Sequence, residues 1–201
     1  MDIFDPGHPG RPNLLTDLED KIRRHHTLYP RTRVKADQWE EILSVTLAQL
    51  GVPNEWGPGS HRIGTDITLG SGVTVSAKSG TYDRAEQTLT FSGSRLGKHS
   101  STLSAMVNHV LATKSDWYAF CAGPKTKSRS PEYDLFFIPG YLLDYGSPAD
   151  WVQRTTESGS SVWAFGGSSL SAEIRSSMSH QLWTTLNLTH LQQRPSRSFT
   201  I

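Results

Sequence analysis

A single cysteine, Cys121, stands in a chain of 201 residues. One thiol closes no intramolecular disulfide and supplies no cysteine-rich zinc site. It lies inside the apolar string from Trp117 to Ala122, which reads as a small buried side chain in a reducing cytoplasm. Long apolar runs are also missing. Leu135–Ile138 and Tyr141–Leu143 fall far short of the ~20 residues that a membrane-spanning helix needs, so no membrane association is expected. The start, Met1 to Pro6, has neither a basic segment nor an apolar stretch and does not read as a secretory signal. Charge of one sign is lacking too, with 20 Lys and Arg against 19 Asp and Glu for a net charge of +1. Such a balance exerts no strong long-range pull on a polyanion. The chain holds no Gly-x-Ser-x-Gly elbow, no spaced His or Cys metal motif and no internal repeat, which removes the common hydrolase, zinc-module and solenoid readings.

What is present suits one domain over residues 1–201, with 35% hydrophobic residues, 17 glycines and 11 prolines, a composition of a loop-rich α/β or α+β protein. Residues 1–13 carry Pro6, Gly7, Pro9, Gly10 and Pro12 and are expected to be an irregular arm. A helix is predicted over 14–29 from Leu15, Leu18 and Ile22. A second follows, with Asp37 as cap, Glu40 in capping-box spacing, and Trp39, Leu43, Leu47 and Leu50 as one stripe ending at Gly51, a face suited to packing on a sheet.

Beyond the Gly- and Pro-rich stretch 53–64, Asp66-Ile67-Thr68-Leu69 and Val73 to Lys78 both alternate and are separated by Gly70-Ser71-Gly72. This predicts a hairpin whose glycines take the positive-φ turn positions. A loop over 79–87, a strand over 88–92, a helix over 103–113 and strands over 117–122 and 133–138 follow. The remainder reads as a Gly/Ser-rich turn near Gly166 and a helix over 172–183. The fold class expected is α/β (α+β), a central mixed β-sheet flanked by helices.

The chemistry concentrates in Gly64-Thr65-Asp66 and Ser76-Ala77-Lys78. If the two runs pair, Asp66 and Lys78 meet at one end of the sheet. A carboxylate there holds a hard divalent cation through oxygen, the cation polarises a phosphodiester, and the ammonium positions or deprotonates the attacking water and offsets developing charge. In these residues the chain resembles the PD-(D/E)xK nuclease superfamily, and within it the type II restriction endonucleases. Members place a metal-binding aspartate on one strand and an acid-x-lysine triplet on the next, with a helix packed behind that often adds an acid.

Asp66 matches the aspartate and Lys78 the lysine, while Thr65 replaces the usual proline and Ser76 the second acid. The resemblance implies a restriction-endonuclease-like fold, Mg²⁺ as cofactor, double-stranded DNA as substrate, a homodimer acting on a palindrome, and a companion DNA methyltransferase protecting the host. The missing acid has three candidates: Glu40 at the rim of the helix stripe, Glu41 on its outer side, and Glu86 in the loop after Lys78. The metal set implied is Asp66, Glu40 and the Ser76 position, with Asp66, Lys78 and Glu40 as the catalytic group.

Ser92, Arg95, Lys98 and His99 lie in a donor-rich segment after the strand that follows the hairpin and are the foremost candidates for DNA contacts. Further positive charge is expected from Arg84, Lys114, Lys125, Lys127 and Arg129, and from Arg194 and Arg197 near the C-terminus. His61, just before Asp66, reads as a loop histidine near the site. The competing reading is a non-catalytic DNA- or partner-binding protein in which Ser76 marks a lost active site.

Overall fold

The computed structural model describes residues 1–57, 65–96, 102–126, 130–156, 161–176 and 179–201. Three α-helices are present among them: α1 (Arg11–Leu28), α2 (Ala36–Gln49) and α3 (Leu103–Ala112). The first strands are β1 (Asn54–Trp56), β2 (Ile67–Leu69), β3 (Thr74–Asp83), β4 (Thr88–Arg95), β5 (Trp117–Pro124) and β6 (Glu132–Pro139). Then come β7 (Val152–Thr155), β8 (Ser161–Gly166), β9 (Leu170–Arg175), β10 (Gln181–Asn187) and β11 (Arg197–Thr200). All join one 11-stranded sheet in the order β11-β6-β5-β3-β4-β10-β9-β8-β7, with β1 and β2 attached beside β3. Only β3 and β5 run parallel; the other pairs are antiparallel. The mixed sheet flanked by helices agrees with the α+β class expected from the sequence.

β5 organises the core because every one of its eight residues is buried. A strand covered on both faces reads as a continuous apolar run, and its alternate side chains feed two separate clusters. Trp117, Ala119 and Cys121 join α1 and α2 with Leu14, Leu18, Ile22, Trp39, Leu43 and Leu47. Tyr118, Phe120 and Ala122 join α3 through Met106, Val107 and Val110, together with the inner face of β9 and β10. Cys121 is free and buried, and burial pushes its thiol pKa up. α2 is locked to the sheet by Trp39, fully buried, whose indole Nε1 donates to the Ala119 carbonyl at 2.9 Å.

The sequence-based boundaries need four corrections. The irregular arm expected over residues 1–13 ends at Gly10 and packs on the protein: Ile3 and Phe4 are buried in the α1–α2 core and α1 begins at Arg11, since Pro12 fits the first helical turn, where no N–H partner is lost. α2 starts two residues earlier than expected, with Lys35 as its N-cap and the Lys35 N–H received by the Gln38 side chain at 2.9 Å, so Asp37 is not its cap and Glu40 is released from capping. The expected loop over 79–87 is strand as far as Asp83, followed by a tight turn. The expected helix over 172–183 is the hairpin of β9 and β10. There Leu170, Ala172 and Ile174, and then Leu182, Thr184 and Leu186, are buried in alternation, a period of two that only a strand places on one face.

The hairpin of β2 and β3 forms as expected, with Gly72 at φ +88° in its turn, a conformation open to glycine without penalty. Trp39→Ala should cost about 3–5 kcal/mol of stability through the lost contacts, the cavity and the orphaned Ala119 carbonyl. Chemical denaturation should read this as a lower midpoint at an unchanged slope.

Candidate functional site

A fork in the sheet creates the site. On one edge of β3, β2 pairs only with Thr74 and Val75, and β4 pairs only from Gly80 to Asp83. Among the described residues, 76–79 have no strand neighbour on that edge, although the opposite edge is paired with β5 throughout. A backbone donor left in such a gap needs another partner. The Asp66 carboxylate fills the role: its Oδ2 accepts the Ala77 N–H at 2.8 Å.

The same oxygen accepts the Ser76 hydroxyl at 3.1 Å and the Lys78 Nζ at 2.8 Å. Register explains the convergence. Ile67 opposes Val75, so continuing one residue places Asp66 opposite Ser76, a cross-strand pair with Cβ atoms about 5 Å apart. Lys78 is two residues on, on the same face, within reach of a long side chain. The start of β3 is clamped from its other side by Asp116, whose Oδ2 takes the Thr74 N–H and hydroxyl, each at 2.8 Å. Those two hydrogen bonds hold the Asp116 pKa below its ordinary value. Thr65, at the position where the resemblance expects proline, has its hydroxyl 3.4 Å from that of Ser115.

Three donors on Oδ2 leave Asp66 Oδ1 without a hydrogen bond among the described residues. Its side chain is 14% exposed and that of Lys78 is 21% exposed, so the pair is accessible at the mouth of the fork but shielded enough for its charges to matter. Glu40 completes the electrostatics from α2. Burial raises its pKa, the Asp66 carboxylate raises it further, and Lys78 opposes them. The nearby Trp56 indole N–H favours the charged form without completing a well-formed hydrogen bond. A partly buried carboxyl on α2 thus lies within electrostatic reach of a second carboxylate and one ammonium, an arrangement that a divalent cation relieves.

On the α3 side of Lys78 lies a cavity of about 40 Å³ bounded by Ser76, Tyr118, Thr113 and Tyr145, enough for about two waters. Burial pushes the Tyr118 phenol up to about 12, with Asp66 adding to the shift, so it remains a neutral donor at physiological pH.

The other expected site residues divide clearly. Ser76 is 1% exposed and its hydroxyl is turned onto Asp66, which makes it a prop for the aspartate. Glu41 is exposed on α2. Glu86 is exposed in the β3–β4 turn, and that turn begins after Asp83, five residues or ~17 Å along the strand from Lys78. Neither stands beside Asp66. Ser92 is half-buried and Arg95 exposed, both on β4. Lys98, His99, His61, Lys127 and Arg129 lie outside the described residues.

Much of the remaining positive charge is engaged. Arg84 grips Asp134 and Glu132, Lys125 pairs with Asp83, and Arg197 pairs with Glu19. Lys114 donates to the Leu143 carbonyl at 3.2 Å.

Among the described residues no three His, Cys, Asp or Glu side chains cluster into a ready-made metal cage. The donor set of Asp66 and Glu40 nevertheless fits Mg²⁺, which is held through one or two carboxylates while retaining waters and binding substrate phosphate. The participants that sequence reasoning did not find are Trp56 and Tyr118. Trp56 sits on an unpredicted three-residue strand, and Tyr118 reads in sequence as one more core aromatic of β5.

A raised Glu40 pKa fixes the sign of a linkage effect. The native state holds that proton more tightly than the unfolded chain, so the stability Glu40 contributes is full below its unfolded pKa and is lost as pH rises through its folded pKa. Glu40→Gln should therefore raise the melting temperature at pH 7.5 by about 1–3 °C, with the gain shrinking towards pH 4. Scanning calorimetry of both proteins at the two pH values checks it; a loss of stability at pH 7.5 would contradict the electrostatic picture of the site. No protein-family model and no curated protein matches this chain, so its reading rests on the geometry of these side chains.

Proposed function

We propose that the chain is a Mg²⁺-dependent DNA endonuclease with a PD-(D/E)xK-type active site, acting as a type II restriction enzyme. The observation that carries the reading is the convergence of Asp66 and Lys78 at 2.8 Å in the unpaired edge of β3, with Glu40 electrostatically coupled to both. A carboxylate before one strand, a lysine on the next and an acid from the helix behind them reproduce the arrangement that the resemblance implies. Glu40 then takes the role of the acid missing at Ser76.

In this reading Asp66 and Glu40 would hold the metal, which when bound would polarise the scissile phosphate. Asp66 Oδ2 stays fixed by Ala77 and Ser76, so its other oxygen is aimed without further ordering. Lys78 orients the attacking water and, as an ammonium, offsets the charge that builds on the phosphate. The shielding of the pair strengthens both effects. Duplex cleavage on both strands calls for two such sites, hence a homodimer.

A second reading is supported by the direct Lys78–Asp66 ion pair, in which each group neutralises the other. In that case the chain binds DNA or a protein partner without cutting.

Incubating the protein with plasmid or phage DNA and Mg²⁺ should yield discrete fragments, abolished by EDTA. Lys78→Ala and Asp66→Asn, which keeps an acceptor for the Ala77 N–H, should each slow cleavage about 10²–10⁴-fold while leaving the fold intact by circular dichroism, and Glu40→Gln should do likewise despite its greater stability. Retarded but uncut DNA with the wild-type protein would favour the non-catalytic reading.

A further inference from the structure

The sheet carries a second concavity, on the face shared with α2 and beyond the reach of its helices. The core beneath α1 and α2 draws on β2, β3, β5, β6 and β11 and on no described residue of β7–β10. There the outward side chains of β4, β10, β9 and β8 border a cleft of about 320 Å³, at the lower end of the range for small-ligand sites.

One wall is Trp183, with the Arg175 guanidinium 5.0 Å from its ring centroid. Arg175 is held in place by two hydrogen bonds to Glu173, at 2.9 and 3.0 Å. The Trp183 indole N–H is buried and has no partner among the described residues. Thr90 and Thr185, whose hydroxyls lie 3.0 Å apart, and Ser171 add small polar groups. Ala164, Ala172 and Gly166 keep the floor low.

We infer that this cleft binds an unpaired nucleobase of DNA, which extends the Trp183–Arg175 stack. The choice of polymer rests on the nuclease reading above. Three observations select a base over a phosphate or an aliphatic group. First, a flat indole capped by a guanidinium is a stacking platform, and both surfaces accept any base. Second, Arg175 and Glu173 offset one another, so the lining holds one uncompensated cation, exposed Arg154. That charge suits a phosphate on the rim and a neutral ring inside. Third, the cleft offers both donors and acceptors, the Thr90, Thr185 and Ser171 hydroxyls and the Glu173 carboxylate, which match the mixed edge of a base.

Trp183 pairs with Ser92, the neighbour of Phe91, which pairs with Gly80 on β3. The stack is therefore level with Ser79 along the strands and two strand spacings, about 10 Å, away from β3, on the face of the sheet opposite to Lys78. Ser92 enters as the residue paired with Trp183, a role different from a direct phosphate contact.

The test uses fluorescence anisotropy of the full-length protein in EDTA, where no cleavage occurs, with two labelled 20-mer duplexes, one fully paired and one carrying a single bulged adenine. Wild-type protein is expected to bind the bulged duplex about 10-fold more tightly. Trp183→Ala should erase that preference, whereas Trp183→Phe, which keeps a stacking ring, should retain most of it and controls for folding. Arg154→Ala should weaken both duplexes alike. Equal affinity of the wild type for the two duplexes, or an undiminished preference in Trp183→Ala, overturns the inference. Lys78→Ala separates the two proposals: it should stop cleavage but keep the bulge preference. A bulge preference in a wild-type protein that cuts no DNA would therefore sink the nuclease reading alone.

Discussion

One carboxylate oxygen holds the candidate site together. Asp66 Oδ2 receives a backbone N–H, a hydroxyl and an ammonium, and each bond answers a different need. The Ala77 N–H faces a gap where no strand runs, the buried Ser76 hydroxyl requires an acceptor, and the Lys78 ammonium requires a counter-charge. A buried or half-buried donor without a partner costs about as much as a lost hydrogen bond, so the fork in the sheet and the aspartate depend on each other. Asp66 has its orientation because β2 and β4 leave β3 at different points, and the gap is tolerable because Asp66 fills it.

That dependence separates folding from chemistry within one side chain. Oδ2 belongs to the architecture, while Oδ1 is the atom with capacity to spare. Glu40 shows the opposite balance, since burial and the electrostatic influence of another carboxylate both disfavour its charged form. Functional sites commonly hold groups in environments that shift their pKa, and the contrast between a satisfied Asp66 and a strained Glu40 is of that kind.

The wider sheet distributes its roles by coverage. β5, buried on both faces, divides the two cores. α1 and α2 cover one face over β3, β5 and β6, and α3 packs on the other. The half of the first face beyond β3 is left to polar residues and to Trp183. The protein thus has a chemically loaded fork in mid-sheet, with an open platform two strands away.

The sequence by itself determined the parts whose signals are local. The alternation in 66–69 and 73–78 around Gly70-Ser71-Gly72 specified a hairpin, and the hairpin register alone brings Asp66, Ser76 and Lys78 onto one side. The stripe of Trp39, Leu43 and Leu47 specified a helix lying on a sheet, and the apolar strings of β5 and β6 specified buried strands. Only the tertiary structure decided the rest. Whether Glu40, Glu41 or Glu86 stands beside Asp66 depends on how α2 is rotated and where β3 ends, and neither is encoded in local spacing. The segment 172–183 contains both helix formers and a period of two, and pairing of β10 with β4 resolved it as a strand. Trp183 gains its meaning only through neighbours far away in the chain, Ser92 and Thr90 across the sheet. Such contacts are set by long-range strand pairing, whose free energy is not a property of any short stretch of residues.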